Sequence, residues 1–408
     1  MRLVGIDRVE ARGLTQYRAE YESRSGRPFR LHFTLPSLYK APENQDAFFV
    51  VGITLAMILR EDYEQSIPVS KSLLHGVRQT VKKWCSWHSF LKQIKIKTPT
   101  RLNAQTADSH DDRVNASFFT GGVDSLFTTV NHPNEIGGLI SIAHSSADFE
   151  EIEHTLANLR GLSGFAAQTD RKHFVIATNV MTLAPEMLDT WSWLSHGAAL
   201  AAVAHSLSGE ITNAIISSSD TWETLVPWGS HPDVDRLFSN ESVTMEHYGN
   251  DFGRTQKTER IAADASALST LSVCHHGRAA NQEIVNCSKC AKCIRTMITL
   301  DLAGASPAQS TTFDWSHYRL EAIRDFRLTS EDDLVFFDEI SLKCEQEGRS
   351  DLAAAVKSMT RGSNTLMILK KLETYLRRRI PVLAQFRPVL VRCRNAIYRS
   401  FKITTNAD

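Results

Sequence analysis

The first thirty-six residues carry short runs, at 3–9, 17–21 and 29–33, in which apolar and polar side chains alternate. A period of two sends successive side chains to opposite faces, so this stretch predicts a small antiparallel sheet. Pro36 and Pro42 end it. Residues 47–59 and 69–84 then show helical spacing, and 91–96 returns to a strand pattern. Residues 1–105 therefore read as an N-terminal α+β domain. The polar stretch 104–113 reads as a linker.

From Val114 the pattern changes. Strands are predicted at 117–119, 138–142, 173–177 and 214–217, and helices at 126–130, 150–162, 193–207 and 254–268. This alternation predicts an α/β fold, a parallel sheet with helices on both faces. Ligands of such sheets bind at the carboxyl ends of the strands, where strand order reverses. Residues 305–408 read as a helical C-terminal region.

Bulk composition narrows the class. A chain of 408 residues has room for about two to three domains. There is no apolar run of membrane-spanning length and no secretory pattern, so a soluble cytoplasmic protein is expected. The zero net charge hides an asymmetry: residues 357–402 hold twelve Lys or Arg and one acid, Glu373. That basic region suits an acidic partner protein, or the acidic body of a second copy in a homodimer. Nucleic acid or an anionic membrane surface is less favoured.

Two motifs carry chemistry. The first is Thr120-Gly121-Gly122-Val123-Asp124-Ser125, between a predicted strand and a predicted helix. Paired glycines let backbone N–H groups approach an anion, and the helix N-terminus adds partial positive charge. Ser125 offers a hydroxyl to a phosphate oxygen, and Asp124 suits a Mg²⁺ bound there. No Gly-Lys-Ser/Thr follows, so this is not a Walker loop. The second motif is Cys274, then twelve residues, then Cys287-x2-Cys290-x2-Cys293. Four thiolates so spaced suit a closed, structural Zn²⁺ site, with an iron–sulfur cluster as the competitor. Lys289, Lys292 and Arg295 would offset part of its negative charge. Cys85, Cys344 and Cys393 are isolated.

The first motif resembles the Ser-Gly-Gly-x-Asp-Ser loop of the PP-loop ATP pyrophosphatase superfamily, with Thr120 in place of the leading serine. The resemblance implies the adenine nucleotide alpha hydrolase-like fold and cleavage of ATP between its α and β phosphates. It assigns ATP to Thr120, Gly121, Gly122, Val123, Asp124 and Ser125. It places adenine contacts at strand ends, here Ile142 and His144 within Ser141–His144, and Thr178 with Asn179. The order of a PP-loop and four cysteines is similar to the 7-cyano-7-deazaguanine synthase family, over residues 114–304. Departures are Thr120, Ser288 where glycine is usual, a longer gap after Cys274, and both flanking regions. The chain is thus identified as a divergent relative. Some such relatives act in anti-phage defence and join a deazaguanine to a protein N-terminus.

The expected reaction is adenylation of a small-molecule carboxylate, such as a 7-deazaguanine-type acid, followed by attack of ammonia or a protein amine to form an amide or nitrile. Asp124, Ser125, Lys257 and Arg254 are the catalytic candidates; a cation from the last two would stabilise charge on the phosphates. Ser218, Ser219, Asp220, Trp222 and Trp228 are candidate substrate contacts, the tryptophans stacking on a planar heterocycle. His196 is a further candidate base. RNA sulfur transfer and a non-catalytic nucleotide-binding assembly subunit are the alternatives.

Overall fold

The alternating N-terminal runs form β1 (Arg2–Ala11), β2 (Leu14–Glu22) and β3 (Pro28–Pro36), an antiparallel meander. One face of it buries Ala19, Tyr21, Leu31 and Phe33. The computed structural model describes residues 1–101, 112–132, 135–274, 285–305 and 307–379. Most of the linker read at 104–113, and the basic tail beyond Arg379, lie outside these. Contacts divide the chain into two units, Met1–Gly253 and Arg254–Asp408.

In the first unit, helix α1 (Asp46–Leu59) is buried on all sides from Asp46 to Met57. Its first carboxylate, Asp46, takes both arms of Arg101 at 2.7 and 2.6 Å. Short strands β4 (Tyr63–Glu64) and β5 (Val69–Ser70) precede α2 (Lys71–Trp87). Ser70 caps α2 by accepting from the Leu73 N–H. Residues 91–95 are irregular, and only β6 (Ile96–Lys97) pairs there, beside β4. Strand β7 (Thr100–Arg101) pairs with β5.

The α/β part follows: β8 (Val114–Phe118), α3 (Val123–Asn131), β9 (Gly138–His144), α4 (Phe149–Ala157), α5 (Arg160–Gln168) and β10 (Lys172–Thr178). Then come α6 (Pro185–Asp189), a π-helical turn at Trp191–Ser195, α7 (His196–Ser206), β11 (Ile211–Ser217), α8 (Pro232–Asp235) and β12 (Thr244–Tyr248). Strands β8 to β12 are parallel and lie in the order β12-β11-β8-β9-β10. Strand β3 pairs antiparallel with β10, so one ten-stranded sheet runs through the segments read apart as 1–105 and 114–304. Helix α4 packs Ile152 over Ala143 and Ala177 on one face. The other face shares a core with α1 and α7, through Ile140, Ile176, Ala201 and Ile216.

The second unit is helical: α9 (Arg254–Ala262), α10 (Ala265–Thr270), α11 (Ala291–Leu302), α12 (Leu320–Asp325), α13 (Asp332–Gln346) and α14 (Ser350–Arg379). Ile298, Ile323, Phe337, Val356 and Met359 form its core. The helices predicted at 150–162 and 254–268 are each two. The second break is an N-cap, the Asp264 carboxylate accepting from the Ala267 N–H at 2.8 Å. Among the described residues no helix is long and apolar enough to cross a membrane.

Gly76 of α2 has no room for a side chain: a Cβ there would lie 1.9 Å from the Leu237 carbonyl oxygen. Gly76→Ala should therefore destabilise the first unit by about 2–3 kcal/mol, seen as a fall in thermal midpoint. Gly161 of α5 faces open space. Gly161→Ala should leave the midpoint unchanged or raise stability by up to about 1 kcal/mol.

Candidate phosphate loop and metal centre

Strand β8 lies between β9, the next strand in sequence, and β11, reached only after β10. Its carboxyl end is therefore where strand order reverses. The glycine loop sits there. Phe119 extends the ladder, its N–H reaching the Ile140 carbonyl at 2.7 Å. Gly121 has φ +72°, a left-handed conformation that disfavours a side chain. Gly122 then starts α3 in extended geometry, without a side-chain cap. First-turn N–H groups of a helix have no intrahelical acceptor, which suits this end to an anion.

The Ser125 hydroxyl donates to the Gly122 carbonyl at 3.1 Å and accepts from the Thr120 N–H at 3.3 Å. It closes the loop on itself. Asp124 accepts a hydrogen bond from Ser219 at 3.1 Å, and Thr128 meets Ser217 at 2.8 Å. The end of β11 thus joins the loop.

Other predicted contacts divide. Ser218 is buried; its hydroxyl donates to the Asp220 carbonyl at 2.7 Å and accepts from Asn250 at 2.8 Å. The Ser218 hydroxyl and the Asp220 backbone thus help to build the turn. Thr178 is fully buried and its hydroxyl accepts from the Val180 N–H at 3.2 Å. Asn179 spans to β3 through the His32 N–H and the Arg30 carbonyl. Ile142 is half-buried and His144 exposed at the end of β9. Trp222 and Trp228 are 55% and 42% exposed, and Trp222 donates to Asp251 at 2.8 Å. His196 stands beside Trp191, with ring centroids 5.1 Å apart. Arg254 and Lys257 lie on α9 in the second unit. Lys257 is fully buried there, and the Arg254 guanidinium is 5.4 Å from the Phe336 ring centre.

No motif pointed to His173 as a linking residue. It links Ser163 of α5, at 2.7 Å, to Ser141 of β9, at 2.9 Å. Nor did any motif reveal the buried Asp235 carboxylate, which accepts from Ser230 and His247, both at 2.7 Å. Both depend on strand register that spacing alone does not fix.

The four cysteines meet in the second unit, all four Sγ atoms lying within 4.8 Å of one another. Cys287 and Cys293 are 3.8 Å apart, Cys290 and Cys293 3.5 Å. A tetrahedral zinc with bonds of about 2.3 Å sets its sulfurs about 3.8 Å apart. Backbone N–H groups of Lys289 and Cys290 support the Cys287 sulfur, and those of Lys292 and Cys293 support Cys290. The hydrogen bond with Cys293 draws the Cys290 thiol down to about 5, and the same bond, with burial, raises Cys293. The donor set therefore fits a metal such as zinc. Arg295, expected to offset thiolate charge, ion-pairs with Asp333 at 3.2 Å and lies over Phe336. Ser288 adopts φ +62°, the conformation glycine favours, and accepts from the Asp314 N–H at 2.8 Å. Comparisons with protein-family models, curated proteins and solved structures return no match to this chain.

Purified protein should carry about one zinc per chain by elemental analysis, and Cys293→Ser should lose it and lower the melting temperature. Iron with acid-labile sulfide in the wild type would overturn the zinc assignment.

Burial pushes His173 down to about 4 from its ordinary 6.5, and lowers His32 and His205 as well. Between pH 6.5 and 4 the unfolded state binds more protons, so stability falls as pH falls through that window. For His173, discounting partial exposure, the loss should reach roughly 1–2 kcal/mol. Denaturant melts at pH 7, 5.5 and 4.5 measure it; stability rising on acidification would contradict it.

Proposed function

We propose that the chain is an ATP-dependent carbon–nitrogen ligase of the PP-loop class, releasing AMP and pyrophosphate. One observation carries this reading. The loop Thr120–Ser125 occupies the carboxyl end of β8 where strand order reverses, and Ser219 of the neighbouring strand end bonds Asp124 there. A helix N-terminus, a left-handed glycine and a carboxylate at one spot suit a magnesium-bound polyphosphate. The loop N–H groups would hold the phosphates, and Ser125 would exchange its internal bonds for a phosphate oxygen. Asp124 would hold Mg²⁺, which supplies charge neutralisation of the departing pyrophosphate.

The acid would be adenylated on its carboxylate oxygen. An amine, or ammonia, would then displace AMP to form the amide. The exposed Trp222 and Trp228 favour a planar acid, such as one of the 7-deazaguanine type. Zinc would be structural, since four thiolates leave no open position.

The cysteine inventory weighs against sulfur transfer, which needs a reactive thiolate. Outside the cluster, among the described residues, burial raises the Cys85 thiol and pushes Cys344 up to about 11.

The decisive assay mixes the full chain with ATP, Mg²⁺, a deazaguanine-type acid and an amine, and measures AMP and pyrophosphate. Wild-type protein should form both in equal amounts, and Asp124→Ala should slow this by about 100-fold or more. If ATP binds yet no acid ever yields AMP, the ligase reading fails and a non-catalytic nucleotide-binding subunit replaces it.

A further inference from the structure

We propose that His173 is a positioning residue for the phosphate loop, acting through Ser141 on the Phe119 carbonyl. The proposal rests on the nucleotide reading above and adds a residue that no motif contains.

The geometry fixes each proton. The Ser141 hydroxyl donates to the Phe119 carbonyl at 2.8 Å, which uses its single hydrogen. Toward His173 Nε2, 2.9 Å away, Ser141 can therefore only accept. Nε2 must carry a hydrogen. Nδ1 is then the bare nitrogen, and it accepts from the Ser163 hydroxyl at 2.7 Å. The chain Ser163–His173–Ser141–Phe119 is satisfied at every atom by one neutral tautomer. Burial favours that neutral ring.

Phe119 is the residue on which the loop hinges. Its N–H is tied to the Ile140 carbonyl, and its own carbonyl is held by Ser141. Its ring stacks on Phe165 of α5, with centroids 5.1 Å apart and planes 9° from parallel. Phe165 of α5 thus meets Phe119 directly, and Ser163, two residues earlier, reaches it through His173 and Ser141. The next residue, Thr120, begins the glycine loop. Releasing the carbonyl lets the Phe119–Thr120 peptide rotate, which turns the loop N–H groups away from a common anion. The effect belongs to nucleotide affinity and not to bond breaking, because none of the three side chains lies in the loop itself.

The test uses the full-length chain with a non-hydrolysable ATP analogue for binding, ATP turnover for kinetics, and thermal melts for stability. His173→Phe keeps the ring and removes both nitrogens. Ser141→Ala removes the link and covers the case in which His173→Phe folds poorly. His173→Gln restores an N–H near the Nε2 position. His173→Phe and Ser141→Ala should each raise Kd and KM for the nucleotide about 5–10-fold, with kcat within about threefold. The double variant should be no worse than about the larger single effect, because both break one chain. His173→Gln should recover to within about twofold of wild type, which a role in packing alone does not explain. Nitrogen-15 spectra of the imidazole should show Nε2 protonated and Nδ1 bare. Wild-type binding with an unaffected Ser141→Ala and His173→Phe overturns the role of His173 alone, as do additive losses or a Gln variant no better than Phe. Failure of the wild type to bind any ATP analogue overturns the nucleotide reading and this proposal with it.

Discussion

The reversal of strand order at β8 governs the first unit. The chain moves outward from β8 to β9 and β10, then returns to β8's other side to lay down β11 and β12. Connections that diverge from a central strand leave an opening at its carboxyl end. Tight packing below that point holds the register. A Cβ on Gly138, the first residue of β9, would lie 2.6 Å from the Phe174 ring of β10, so any side chain there would force that packing to shift. Fixed in this way, Ala116 faces Gly138 and Ala214. Asp124 and Ser219 then become neighbours although 95 residues separate them.

The metal centre obeys a different, local logic. Three of its ligands fall within seven residues, so their approach needs little from the tertiary fold beyond bringing Cys274 to them. The turn between Cys287 and Cys290 holds residue 288 at φ +62°, a left-handed conformation that glycine adopts most readily. Serine there bears a strain of about 1 kcal/mol. Its hydroxyl offsets part of that by bonding the Asn286 carbonyl and the Asp314 N–H. The departure from pattern is thus compatible with the same turn.

Legibility followed the range of the interactions. Period-two and apolar runs located β1 to β3 and β8 to β11 closely, because burial on one or both faces dictates those residues. Strand β12, Thr-Met-Glu-His-Tyr, escaped: it is an edge strand with one fully buried side chain, Met245. The predicted helix 193–207 begins in fact with a π-helical turn, whose polar and aromatic residues mimic helical spacing. The glycine loop between β8 and α3 and the cysteine cluster were legible because each is defined by nearly contiguous residue types. His173 was not, since its partners lie 10 and 32 residues away and meet only in the correct register of β9 and β10.

Hydroxyl groups near the strand ends are held by the backbone around them. Ser218, Thr178 and Ser141 each looked available, yet each spends its hydroxyl on the backbone of a turn or neighbouring strand. A buried hydroxyl left unpaired costs about 1–3 kcal/mol, so a strand end rich in serine and threonine satisfies itself first. The same strand ends also carry the Asp124 carboxylate, bonded to Ser219, and the exposed Trp222 and Trp228. Such groups offer charge and flat surface more than a pattern of hydrogen-bonding hydroxyls. Asp251 orients one of these tryptophans, its carboxylate accepting from the Trp222 indole at 2.8 Å.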